Sequence, residues 1–122
     1  MRNIMTDRAF RLSARLNRFV NYLREEAGED YLAERIGKYS SYISDAVFHM
    51  EYASNQNEFT DGLKYGLLYL MKVRRWLKFL YEEEYLEDQT YKSLSRECDE
   101  LFKILMRKSR RFFDELLGDI EL

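Results

Sequence analysis

The stretch EFTDGLKYGLLYLMKVRRWLKFLYEEEY, from Glu58 to Tyr85, decides the fold. Within it Leu63, Leu67, Leu70, Val73, Leu77 and Leu80 recur at steps of three and four, the spacing that sets side chains on one stripe of an α-helix. That stripe reads as core. A second stripe, Tyr65, Leu68, Tyr69, Trp76 and Phe79, is almost wholly aromatic. A helix in a small bundle needs a single apolar face, so the second either widens the core or meets another chain. Lys64, Lys72, Arg74, Arg75 and Lys78 run between the two stripes. The helix packs inward and offers cations.

Working outward, the same period recurs three times. Leu12, Leu16, Phe19 and Leu23 form the stripe of a helix over about 6–26, opened by Thr6 or Asp7 as N-cap. Leu32, Ile36, Tyr39, Ile43, Val47 and Met50 are the inward positions of a helix over about 30–54, capped by Asp30. Gly37 within it suggests a close helix crossing. The quoted stretch itself spans about 58–84, with Asn57 as its cap. A last helix over about 88–117, capped by Asp88, carries Tyr91, Leu94, Cys98, Leu101, Leu105, Phe112 and Leu116 on one face. Phe102, Met106 and Phe113 make a secondary apolar strip on it. Long amphipathic helices joined by short turns predict an all-α, antiparallel, up-down-up-down four-helix bundle in one domain.

Composition bounds the rest. With 46% hydrophobic and 34% charged residues, the 122-residue chain is neither disordered nor a membrane protein. No apolar run approaches the roughly 20 residues that a span needs. Arginines interrupt the first residues too often for the apolar centre of a signal peptide, so the expected location is the cytoplasm. One cysteine cannot form an internal disulfide, which agrees. Cys98 lies within a core stripe and reads as a small buried apolar residue.

The charges are not spread at random. Arg8, Arg11, Arg15 and Arg18 form a stripe on the first helix with no acid between them. Lys103, Arg107, Lys108, Arg110 and Arg111 do the same on the last helix. An antiparallel bundle brings the start of the first helix to the end of the fourth, so Arg2, Arg8, Arg11 and Arg15 are expected near Arg107, Lys108, Arg110 and Arg111. The opposite pole collects Glu25, Glu26, Glu29, Asp30 and Glu34 with Glu82, Glu83, Glu84, Glu87 and Asp88. A net charge of −2 thus hides two local fields, of which phosphates would feel the nearer.

Catalytic constellations do not emerge. The chain has no glycine-rich phosphate loop and a single histidine, His49, which cannot supply paired metal motifs or a triad. Neither enzyme activity nor a metal or cofactor is expected; the work falls to surfaces.

In the fourth helix, Tyr91-Lys-Ser-Leu94-Ser95-Arg96-Glu-Cys-Asp99-Glu100-Leu-Phe-Lys-Ile-Leu105 resembles the final helix of the accessory variability determinant proteins of diversity-generating retroelements. Their pattern is Tyr-x-x-Leu-Ser-Arg-x-x-Asp-Glu followed by a hydrophobic run. Val73-Arg-Arg-Trp76-Leu77-Lys-Phe79-Leu80 is similar to that family's third helix, and Tyr85-Leu86 to the link between the two. The wider group includes the proteins encoded in 23S ribosomal RNA intervening sequences, a relation that covers roughly 30–112. Those proteins carry Ile-Pro-x-Asn-Ile-x-Glu-Gly where this chain has Ile43-Ser-Asp-Ala-Val-Phe-His-Met50, which favours the retroelement branch.

The resemblance implies a homopentameric barrel that binds RNA or DNA, associates with the retroelement reverse transcriptase and supports mutagenic cDNA synthesis. Carried onto this chain, the phosphate contacts fall to Arg8, Arg11, Arg15, Arg18, Arg74, Arg75, Lys78, Arg107, Lys108, Arg110 and Arg111. The subunit interface falls to Tyr65, Tyr69, Trp76, Phe79, Phe102, Met106 and Phe113. The alternative is an oligomeric bundle of the intervening-sequence type, a structural or interaction module without nucleic-acid contacts.

Overall fold

The structure, a computed structural model, describes residues 3–118, and the side chains there except at 112, 113 and 115–118. Arg2 and the side chains of Phe112, Phe113 and Leu116 lie outside the described residues. Four helices follow one another: α1 (Ile4–Glu25), α2 (Asp30–Glu51), α3 (Gln56–Glu82) and α4 (Asp88–Gly118). Each packs against its neighbours in sequence, and α4 closes the ring against α1. This is the antiparallel up-down-up-down bundle that the periodicity predicts.

The core is built from the predicted stripes. Leu12, Leu16 and Leu23 of α1, Ile36 and Ile43 of α2, Leu70, Val73, Leu77 and Leu80 of α3, and Leu94, Cys98, Leu101 and Leu105 of α4 are at most 1% exposed. Each such leucine contributes roughly 1.5–3 kcal/mol by leaving water. Leu67 and Tyr39, read as core, are only half-buried at its margin.

Helix starts differ from the predicted caps, each for a local reason. Asn3 rather than Thr6 or Asp7 opens α1, its Oδ1 accepting from the Thr6 N–H at 3.2 Å. Asn55 rather than Asn57 opens α3: its Oδ1 accepts from the Glu58 N–H at 3.0 Å, while the Glu58 carboxylate accepts from the Ser54 N–H at 2.7 Å. That exchange satisfies two free backbone donors at once. Asp30 and Asp88 are first helical residues, not caps. The Asp88 carboxylate is drawn instead to the Tyr81 hydroxyl at 2.5 Å and to Lys92 at 2.9 Å, which holds it below the usual carboxylate range.

The close crossing expected at Gly37 lies elsewhere. A Cβ added to Gly37 would meet only Val20 Cγ1 at 3.9 Å, whereas one added to Gly62 would lie 2.7 Å from Met50 Cγ and 3.0 Å from the Ala46 carbonyl oxygen. Glycine is required where α3 crosses α2. At the acidic end the α1–α2 and α3–α4 turns close alike, with Gly28 (φ 67°) and Glu84 (φ 65°) both left-handed. The Glu29 N–H then reaches the Leu23 carbonyl at 2.8 Å, and the Tyr85 N–H the Leu80 carbonyl at 2.9 Å.

Candidate nucleic-acid interface

Antiparallel packing sets α4 between cations from both sides. From α1, Arg8 reaches Glu100 at 2.6 Å, and Arg15 reaches Ser93 at 2.7 Å and Glu97 at 3.0 Å. From α3, Arg74 reaches Asp99 at 3.1 Å. Three predicted phosphate ligands therefore already hold a carboxylate of this chain. Glu97, Asp99 and Glu100 are the functional residues that the sequence reading missed as partners. Their signal was available: Glu97 and Asp99 flank Cys98 and Glu100 adjoins Leu101, at the shoulders of the core stripe, positions that face the adjoining helices.

Most of the remaining cations line grooves beside α4. One is formed by Ile4 and Arg8 of α1 with Glu100, Lys103, Ile104, Arg107, Lys108 and Arg111 of α4. Its single carboxylate belongs to Glu100, which Arg8 engages. Lys103, Arg107, Lys108 and Arg111 make no ion pair among the described residues. A second groove, on the α3 side, is lined by Met71, Arg74, Arg75, Lys78, Tyr91, Ser95 and Asp99. A third lies around Arg15, Lys92 and Arg96.

The charge is thus arranged along the α4 side of the bundle rather than gathered at one tip, a correction to the two-pole picture. Arg8 does meet Arg107, Lys108 and Arg111 as expected. Arg15, paired to Glu97, sits roughly 15 Å further along α4 from Arg107. Arg11, Arg18 and Arg110 are exposed and join none of these three grooves. The basic end is also mixed, because Glu51 accepts from the Asn3 amide there. The acidic end does come together: the Tyr85 hydroxyl donates to Glu29 at 2.5 Å, across the two turns.

The aromatic stripe of α3 forms a seam with α2. Tyr69 stacks at 5.9 Å on Tyr39 and lies 4.8 Å from Tyr42 and 6.4 Å from Tyr65. Trp76 meets Phe79 edge-on at 5.7 Å. The Lys72 ammonium sits over the Tyr39 and Tyr69 rings, at 5.5 and 5.8 Å. Of the predicted interface residues, Tyr65 and Phe79 are 49% and 44% exposed, while Tyr69, Trp76, Phe102 and Met106 are half-buried. Phe113 falls outside the described side chains.

Cys98 is fully buried and its thiol is pushed up to about 12, chiefly by that burial. It is no nucleophile at neutral pH. Among the described residues no group of His, Cys, Asp and Glu could hold a metal ion, and no helix is long and apolar enough to cross a membrane.

No known family model matches this chain, and no curated protein does. Among solved structures, it is similar to a protein of unknown function from the S23 ribosomal protein family of Bacteroides thetaiotaomicron VPI-5482. The TM-score is 0.82 at 22% identity, over 86% of this chain and 94% of that one. At that identity the likeness is one of fold, and the fold is that of an S23-type all-helical bundle.

Proposed function

We propose that this chain is a non-catalytic accessory protein of a diversity-generating retroelement, which binds template RNA or its cDNA and associates, as a homo-oligomer, with the reverse transcriptase. The observation that carries the nucleic-acid part is the groove of Lys103, Arg107, Lys108 and Arg111, four cations that hold no ion pair among the described residues. Phosphates released from their counterions gain most at such unneutralised clusters. The retroelement setting rests on the likeness of the Tyr91 to Leu105 stretch, in which Asp99 and Glu100 anchor Arg74 and Arg8.

The second reading, an oligomeric S23-type module without nucleic acid, draws on the exposed apolar side chains. Phe10, Phe48 and Tyr52 at the α1–α2 face are 60%, 56% and 69% exposed. Self-assembly would cover such surface.

Reversing three exposed charges of that groove together, Lys103→Glu, Arg107→Glu and Arg111→Glu, separates the readings. The first expects helicity to be unchanged and affinity for structured RNA in filter binding to fall about a hundredfold, or ~2.7 kcal/mol. Undiminished affinity would assign binding to another surface, and no binding by the unmodified chain would favour the second reading.

A further inference from the structure

Beside the aromatic seam lies an open groove of about 380 Å³ lined by Tyr39 of α2 and by Lys72, Arg75, Trp76 and Phe79 of α3. None of these residues is acidic. Phe79 offers its ring to solvent at the rim and Trp76 lies half-buried beneath it. Arg35 extends the cations along α2, donating to the Tyr31 hydroxyl at 3.1 Å with its guanidinium 5.2 Å from that ring. Arg75 also lines the basic groove on the α3 side of α4, together with Arg74 and Lys78. The aromatic groove and the cationic face therefore share a wall.

We propose that this α2–α3 groove is a stacking site for unpaired nucleobases, holding a single-stranded stretch whose phosphates run over Arg75 and Lys78. The inference rests on the nucleic-acid reading above and goes beyond it in naming the strand state and the residues that touch bases. Sequence-tolerant single-strand sites combine these two elements, a cationic track for the backbone and aromatic faces for the bases. A duplex keeps its bases stacked inside and cannot enter such a groove. A second copy docked seam to seam is disfavoured as occupant, because it would set Arg35, Lys72 and Arg75 against their own counterparts; a ring contact, which would join this seam to a different face, is the outcome that the concentration series below tests.

Trp76 is the only tryptophan of the chain, so its emission reports on the groove directly. The test titrates the intact protein with a short oligouridylate and, separately, with an RNA duplex of equal length, at low salt. The expected result is saturable quenching by the single strand and little by the duplex, even where the duplex binds in a filter assay. Phe79→Ala, a change at an exposed side chain, weakens the single strand by about fivefold to a hundredfold and leaves the duplex untouched. Single-strand binding with unchanged Trp76 emission and full affinity in Phe79→Ala overturns the proposal while leaving the basic face standing. No binding of either nucleic acid overturns both. Emission that follows protein concentration in step with sedimentation, and ignores the oligonucleotide, assigns the groove to a second copy and overturns it too.

Discussion

Two seams of this bundle are closed by different means. Between α2 and α3 the backbones press together at Gly62, where even a methyl group would strike Met50 and the Ala46 carbonyl. Between α1 and α4 the closing contacts include Arg8 on Glu100 and Arg15 on Glu97, and the seam opens into the groove of Ile4, Lys103, Arg107 and Lys108. Steric closure is insensitive to salt and intolerant of added volume. Ionic closure is screened over roughly 8–10 Å at physiological salt and leaves polar surface open to a ligand. The side of the molecule proposed to bind polyanions is thus the side whose closing contacts include ion pairs.

The largest expected effect breaks the tight seam. Gly62→Val forces overpacking against Met50 and the Ala46 carbonyl and lowers stability by about 1–3 kcal/mol in urea denaturation. Gly37→Ala, with only Val20 Cγ1 at 3.9 Å, raises it by about 0.5–1 kcal/mol through helix propensity. Equal effects at the two glycines would erase the contrast.

Within the ionic seam the two pairs differ. Glu97 has side-chain exposure of 18%, and its second oxygen is buried with no hydrogen-bond partner among the described residues. Arg15→Ala then strips its remaining charged contact and costs about 1–2 kcal/mol. The Arg8 and Glu100 side chains are 38% and 39% exposed, so Arg8→Ala costs under about 1 kcal/mol. A reversed order would mean that burial does not rank these pairs.

The smallest effect reads the opening of α4. Burial holds the Cys98 thiol up at about 12, so thiolate forms near pH 8 only when α4 lifts, and labelling by a disulfide reagent reports that event. Raising salt, by screening the Arg15 and Arg74 contacts, should speed labelling about twofold. A salt-independent rate would show that α4 is held by packing alone.

The sequence made the four core stripes and the antiparallel order legible, because a 3.6-residue period with short turns leaves few other arrangements. It misplaced what depends on partners beyond the stripe. Gly37 and Gly62 look alike in sequence, and only the α2–α3 crossing distinguishes them. Arg8, Arg15 and Arg74 read as free cations because the carboxylate each one meets stands on another helix, 92 residues away for Arg8 and 82 for Arg15. Tyr39 read as core, yet it lies half-buried at the margin, facing Tyr69 and Lys72 across the seam.

The most direct test of the account is the salt dependence of RNA affinity for the unmodified protein. Four phosphates seated on Lys103, Arg107, Lys108 and Arg111 predict a log–log slope of about −3, which the triple charge reversal brings toward zero. A flat line for the unmodified protein, or a slope that the reversal leaves unaltered, would contradict polyanion binding at the α4 face.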